Sequence, residues 1–229
     1  MSALAHWFEE EGIATTLIAL FRLHAETVRP PRALWVPFEL GRPLGPANDA
    51  AFQRKVLAAA LQLLESAKSP GEIVDFDADD PDELDDANWV CAVPAGAADL
   101  ASEVAAVQPH YDRAVARFGR TTVGLADVSM ESAAKFLAAY AVDEGAQRPR
   151  TGMAPASLMR FCADDVKAFY LEAASSGEGS PSSRQMKDWF WNQTIAARTI
   201  KAIMHGSATS ADKQRQALGT NSIVPGAYQ

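Results

Sequence analysis

The chain has 229 residues, 48% of them hydrophobic, and a formal net charge of −8. This length and apolar content suffice for one or two folded domains, and the acidic charge disfavours phosphate groups and anionic lipid, so we predict neither a nucleic acid nor a membrane as a partner. The first 12 residues lack a secretion-signal pattern and no 18 apolar residues run uninterrupted, so we expect a cytoplasmic protein.

Residues 1–70 have the rhythm of an α/β fold. The apolar, β-branched residues 13–20 predict a buried strand, and residues 33–36 predict a second one, which Pro37 ends. A sheet of two short strands leaves unpaired edges, so either later residues or a second copy of the chain must extend it. We prefer the second copy and predict a homodimer with a small, incomplete parallel sheet in each N-terminal half.

A loop rich in glycine and proline follows the second strand. It contains PFELGRP at residues 37–43, and Asn48 is then a candidate N-cap, with Asp49 in the first turn, for an amphipathic helix ending near residue 67. Three consecutive features resemble the C-terminal part of component B of the glycine, sarcosine and betaine reductases, and its relative in D-proline reductase. They are the segment GIATTLIAL, the segment RPPRALWVPFELGRPLG and this helix. The resemblance covers about residues 6–66.

The resemblance implies reductive chemistry on a small compound that carries an amino or carboxylate group. In that family a reactive cluster of selenocysteine and cysteine precedes the helix that leads into the first strand. Residues 1–12 contain no such nucleophile. The resemblance therefore implies C–N bond cleavage only if another protein chain or another cysteine supplies the nucleophile.

Charged side chains follow both predicted strands. Ligands of open α/β sheets bind outside the carboxyl ends of the strands, where Glu39 and Arg42 follow the second strand and Arg22 and His24 follow the first. Glu39 and His24 are candidate catalytic groups, and Arg42 and Arg22 are candidate carboxylate-binding groups. The alternative is a rigid connector in which Glu39 and Arg42 pair at the surface.

Residues 71–98 are strongly acidic and predict a linker between the α/β half and a helical half, residues 99–229. This linker is either a solvated acidic loop or a cation site. Its carboxylates match a calcium-binding loop poorly, because the glycine and the distal glutamate are out of register, so we predict no calcium site. These carboxylates are Asp75, Asp77, Asp79 and Asp80.

Neither cysteine has the surroundings of a reactive thiol. Cys91 follows the acidic stretch, whose carboxylates would raise its pKa, and Cys162 shares a predicted helix face with apolar residues. We expect both to be inert. The cysteines and the four histidines also lack the spacing of metal ligands, so we predict no metal site and leave the cofactor unassigned.

The second half reads as helices with 3.6-residue periodicity near residues 99–118, 129–143, 155–174 and 182–205. Asp165 falls on an otherwise apolar helix face, where it is either a catalytic site residue or a buried ion pair or cap. Tyr170 on the same helix is a candidate ligand-binding residue. Trp191 on the last helix is either a ligand-stacking residue or a contact between subunits.

Two functions remain open. The first is an enzyme or binding protein of the reductase kind, which recognises a small amine or carboxylate ligand and requires a pocket lined by the charged residues. The second is a non-catalytic subunit that assembles with a separate catalytic or redox protein, which requires a large exposed apolar patch.

Overall fold

The structure is a computed structural model that describes residues 2–46, 49–78, 88–93, 96–179, 181–221 and 223–229. It divides the chain into two compact units, Met1–Leu84 and Asp85–Gln229. The first unit contains a small parallel sheet with helices, and the second is helical. The predicted fold class, an α/β N-terminal half followed by a mainly helical half, is confirmed.

The N-terminal unit alternates helices and strands. Its elements are α1 (Ser2–Glu10), β1 (Leu17–Ala19), α2 (Arg22–Val28), β2 (Arg32–Trp35), α3 (Ala50–Ser66) and β3 (Glu72–Asp75). The strands lie in the order β1-β2-β3 and are all parallel, with Leu17 opposite Ala33 and Ala33 opposite Ile73. Helices therefore connect successive strands, as parallel pairing requires.

The third strand corrects the sequence interpretation, which predicted two strands and placed residues 71–98 in a linker. β3 lies inside that segment and extends the sheet, so the chain itself supplies the pairing that we had assigned to a second copy. Its two apolar residues, Ile73 and Val74, stand between Glu72 and Asp75, and this acidic setting concealed a four-residue strand.

Alternating strand residues pack on the two faces of the sheet. Leu34 and Val74 face a core that Val56 and Leu63 of α3 complete. On the other face, the small residues Ala19, Ala25 and Ala33 pack together, and Ala25 belongs to α2. The polar segment between β1 and β2 is thus a short helix that covers one face of the sheet.

The long helix α3 is confirmed. Asp49 is its N-cap, because its carboxylate accepts a hydrogen bond from the backbone N–H of Phe52 at 2.9 Å. Asn48, the predicted cap, lies outside the described residues.

The C-terminal unit consists of helices α4 (Leu100–Phe118), α5 (Met130–Val142), α6 (Pro155–Ala174), α7 (Ser183–Gln193), α8 (Ile195–Ala208) and α9 (Lys213–Asn221), with a final 3-10 turn (Gly226–Tyr228). Three predicted helices are confirmed within one or two residues. The predicted helix over residues 182–205 is instead two helices that meet at Thr194. The hydroxyl of Thr194 donates to the Phe190 carbonyl at 2.8 Å and accepts from the Ala197 N–H at 3.0 Å, so it ends α7 and caps α8.

Helix α6 lies at the centre of this unit, with eleven buried residues along its length. Its apolar face joins residues from α4, α5, α7 and α8 in one continuous core. Ile223 and Val224 near the C-terminus are buried in the same core. None of the helices within the described ranges combines the length and apolar character needed to cross a bilayer.

Candidate functional site

Arg22 stands at the carboxyl end of the sheet, in the first turn of α2. Its Nε donates to Glu26 Oε1 at 2.9 Å, its Nη1 pairs with Asp75 at the end of β3, and its guanidinium lies 5.3 Å from the ring centre of Trp35. Hydrogen bonds to Asp75 and then Glu26 raise the pKa of Arg22. Its charge therefore ties α2 to β3, which makes it a positioning residue rather than a group open to a ligand.

The loop between β2 and α3, which we call the β2–α3 loop (residues 36–49, with 47 and 48 outside the described residues), is fixed by aromatic packing. The ring of Phe38 is buried, with its centre 5.6 Å from that of Phe52 and 5.8 Å from that of Phe76. Gly45 has a φ of 82°, and a Cβ there would come within 2.5 Å of the Phe52 ring. A side chain at this position would be strained and would displace the Phe52 ring, so the conformation seen here favours glycine.

Glu39 and Arg42 lie on either side of a single tight turn in this loop. The N–H of Arg42 donates to the Glu39 carbonyl at 3.0 Å, and Gly41 between them has a φ of 94°, a left-handed conformation that favours glycine. Both charged side chains are partly exposed. The turn thus presents one acid and one base, three residues apart, at the carboxyl end of the central strand.

His24 is exposed on α2, next to the buried Ala25. It follows β1 as Glu39 and Arg42 follow β2, and these are neighbouring strands. The structure therefore places the N-terminal candidates after the carboxyl ends of adjacent strands in one unit. The candidates Asp165, Tyr170 and Trp191 belong to the other unit.

Two adjoining cavities of the N-terminal unit open at the opposite, amino ends of the strands. The larger, about 410 Å³, is lined by His6, Glu9, Glu10, Arg29, Pro31, Pro70 and Gly71. The smaller, about 360 Å³, shares Arg29, Pro70 and Gly71 with it. No local sequence pattern marks this edge, because its residues come from separate segments that only the fold brings together.

Glu9 has a structural role beside the larger cavity. Its Oε1 accepts the Thr15 N–H at 2.6 Å and the Thr15 hydroxyl at 3.0 Å, and it pairs with Arg32 at 2.5 Å. The hydrogen bond from the Thr15 N–H lowers the pKa of Glu9 the most, and Arg32 lowers it further. This carboxylate therefore joins α1 to the start of β2.

Asp165 is a buried structural carboxylate. One oxygen accepts the N–H groups of Gly124 and Leu125, and the other accepts that of Ala126, all at 2.9 Å. Asp165 is 2% exposed. Of the two interpretations left open by the sequence, the buried cap fits, because the backbone of the loop before α5 occupies both oxygens.

Tyr170 belongs to a buried network that sequence analysis did not anticipate. Its hydroxyl donates to Glu103 Oε2 at 2.7 Å, and Glu103 also accepts the N–H groups of Ile195 and Ala196 at 2.8 and 2.9 Å. Burial and then the Glu103 carboxylate raise the pKa of Tyr170 far above its ordinary value. Tyr170 thus binds another side chain rather than a ligand.

Trp191 is 4% exposed and packs within the C-terminal unit. Its ring stacks on Tyr228 at 5.8 Å and meets Phe190 edge-on at 5.0 Å. The structure therefore accounts for Trp191 by packing inside one chain, and neither a contact between subunits nor a stacked ligand is needed to cover its ring.

Both thiols are unsuited to nucleophilic chemistry at neutral pH. Burial raises the pKa of Cys91, which agrees in direction with the sequence prediction but has a different cause. Burial, with a contribution from Asp165, raises the pKa of Cys162 to about 12. A raised pKa lowers the thiolate fraction, and the thiolate is the reactive form.

Among the described residues, no three His, Cys, Asp or Glu side chains gather as metal ligands. Asp79 and Asp80 of the acidic segment lie outside those residues. Comparisons of the chain with protein-family models, curated proteins and solved structures found no match. The geometry of the described residues is therefore the basis for the proposal that follows.

Proposed function

We propose that the N-terminal unit binds a small ligand with a carboxylate or amino group at the β2–α3 loop, as a relative of the component-B reductases in which neither Cys91 nor Cys162 is the nucleophile. Arg42 binds the carboxylate through its planar guanidinium, and Glu39 binds the amine or acts as a base. His24 completes the edge as a candidate acid-base group.

One observation carries this proposal: a fixed turn at the carboxyl end of the central strand holds Glu39 and Arg42 three residues apart. The packing of Phe38 against Phe52 and Phe76 anchors the start of the loop before any ligand arrives. A fixed loop loses little conformational entropy on binding, which favours the affinity of a small ligand.

The state of the thiols supports binding without intrinsic reductive cleavage. The chain contains two cysteines, and the pKa of each is raised. Oxidoreductase chemistry at this edge would then need a second, thiol- or selenol-bearing protein. The protein would act as the substrate-binding partner of that protein, which joins the two functions left open by the sequence.

The test is calorimetric titration of the whole chain with glycine, sarcosine, betaine and D-proline, with acetate and methylamine as probes of a single group. Arg42→Ala should weaken carboxylate binding by about 1.5–3 kcal/mol, roughly ten- to a hundredfold. Glu39→Gln should weaken the ligands with an amine more than it weakens acetate. Leu40→Ala, a change at an exposed residue of the same turn, is the matched control and should bind normally.

If the loop is only a connector, its glycine should matter for stability and its charged residues should not matter for binding. Gly41→Val places a β-branched side chain at a φ of 94° and should lower the melting temperature, while Arg42→Ala would leave both stability and affinity unchanged. An Arg42→Ala protein that binds every probe as the native chain does would remove the proposed site.

A further inference from the structure

Helix α3 has an exposed apolar stripe in addition to the face that it buries against the sheet. Leu57, Leu61 and Leu64 are 43%, 58% and 38% exposed. Their spacing of four and three residues puts them on one side of the helix, whereas Val56 and Leu63 face the core. Three adjacent exposed leucines on one helix differ from the single apolar residues usual at a protein surface.

The charges of α3 lie only at its two ends. Arg54 and Glu65 flank the stripe, and residues 56–64 contain no charged side chain. Arg54 and Glu65 form no hydrogen bond or ion pair with any residue that the structure describes, and both are exposed. The exposed stripe therefore has a positive group at one end, a negative group at the other, and an apolar centre.

We propose that this stripe is a homodimer interface in which α3 packs antiparallel against α3 of a second copy. With a two-fold axis near Leu61, Leu57 of one copy meets Leu64 of the other, and Leu61 meets its own counterpart. Arg54 of each copy then lies within one helical turn of Glu65 of the other copy, so the two-fold axis gives two such pairs. A parallel arrangement would place like charges together, so the charges select the antiparallel one.

This dimer differs from the one that the sequence predicted. That prediction relied on open strand edges, which β3 partly fills. The helix stripe instead provides an apolar centre with complementary charges at its rim, the usual anatomy of a specific interface. Its small extent indicates a reversible dimer that forms at micromolar concentration.

Sedimentation equilibrium of the full chain tests the proposal. From roughly 10 to 100 µM the mass should approach twice 24.6 kDa, as expected for a weak, transient interface. Leu61→Glu should give the monomer mass with an unchanged circular dichroism spectrum, because Leu61 is exposed in the isolated chain. Leu23→Glu, a change at an exposed leucine of α2, is the matched control and should still dimerise.

Charge reversal separates this pairing from other contacts. Arg54→Glu or Glu65→Arg alone should raise the dissociation constant roughly tenfold, because two attractive pairs become repulsive. The double variant Arg54→Glu with Glu65→Arg should restore the dissociation constant to within about threefold of the native value. A monomer at every concentration, a dimer that survives Leu61→Glu, or a double variant without recovery would each overturn the proposed interface.

Discussion

Asp165 and Glu103 are buried carboxylates that each accept three hydrogen bonds, including two or more from backbone N–H groups. Each occurs on a helix and holds a distant segment in place: the loop at residues 124–126 for Asp165, and the start of α8 for Glu103. A buried carboxylate with such partners stabilises the fold because its charge is fully hydrogen-bonded. Neither residue needs a ligand to explain its burial.

The substitution Asp165→Asn should therefore lower stability without affecting ligand binding. The introduced side-chain amide would direct its own N–H at a backbone donor and leave a buried N–H unsatisfied, at a cost of about 1–3 kcal/mol. Urea unfolding checks this value. Asp164→Asn is the matched control, since it weakens only partly exposed ion pairs, with Lys167 at 2.7 Å and Arg160 at 3.7 Å, and should cost less than about 1 kcal/mol. A stable Asp165→Asn protein that no longer binds ligand would instead support Asp165 as a functional site residue.

The thiols should react slowly with alkylating reagents at neutral pH. Because burial raises both pKa values, the thiolate fraction at pH 7 lies below that of a free cysteine and grows as pH rises. Iodoacetamide labelling followed by mass spectrometry should modify Cys91 before Cys162, which is fully buried. Rapid labelling of Cys91 at pH 7 would instead identify a reactive thiol and revive thiol chemistry for this chain.

At the scale of elements, periodicity and capping residues predicted the long helices well. Ser182, at the predicted start of the last long helix, forms a capping box with Gln185, and α6 has the predicted bounds. The break at Thr194 escaped prediction because apolar periodicity continues through it. The partner that holds the new helix start, Glu103, lies about 90 residues away in the sequence. No local pattern contains such a contact.

The charged edge was only partly predictable for a similar reason. The order of strand, loop and helix put Glu39, Arg42, Arg22 and His24 after the carboxyl ends of strands, and they lie there. The pairing of Arg22 with Asp75, 53 residues later, could not be foreseen because β3 had not been recognised. A strand of four residues with two acids gives too weak a signal for pattern analysis.

Helix α1 should depend on Glu9 in a manner that changes with pH. The folded state lowers the Glu9 pKa, so its contribution to stability is present above the ordinary glutamate pKa and is lost as pH falls through the folded-state value. Glu9→Gln should cost about 1–2 kcal/mol at pH 7 and less at a pH low enough to protonate native Glu9 in the folded state.

Urea unfolding measures this loss of stability. The NMR signals of β2 amides should be followed, because they report on the N-terminal unit, to which Glu9 belongs. Glu11→Gln, a change at an exposed residue two positions further on, is the control and should change stability by less than about 0.5 kcal/mol. An equal loss for Glu9→Gln at both pH values would show that the hydrogen bonds do not require the charge.

At the scale of the whole molecule, the two units have different roles in our account. The C-terminal unit has a large continuous core, and its candidate site residues are all engaged in packing or buried hydrogen bonds. The N-terminal unit has a small sheet, an edge with partly or fully exposed charged groups and an exposed apolar stripe on α3. Ligand binding and association with a second chain are therefore both assigned to residues 1–84.

The most direct test of this account is to map where a ligand binds, by titrating the ¹⁵N-labelled chain with betaine, D-proline and acetate and following its amide NMR signals. Binding at the β2–α3 loop predicts saturable shifts centred on residues 39–45, which need roughly ten- to a hundredfold more ligand in Arg42→Ala and are unchanged in Leu40→Ala. Shifts centred instead on His6, Arg29 and Gly71 would place binding in the cavity at the amino ends of the strands. That result, or no saturable shift with any of these compounds, would contradict the proposed function.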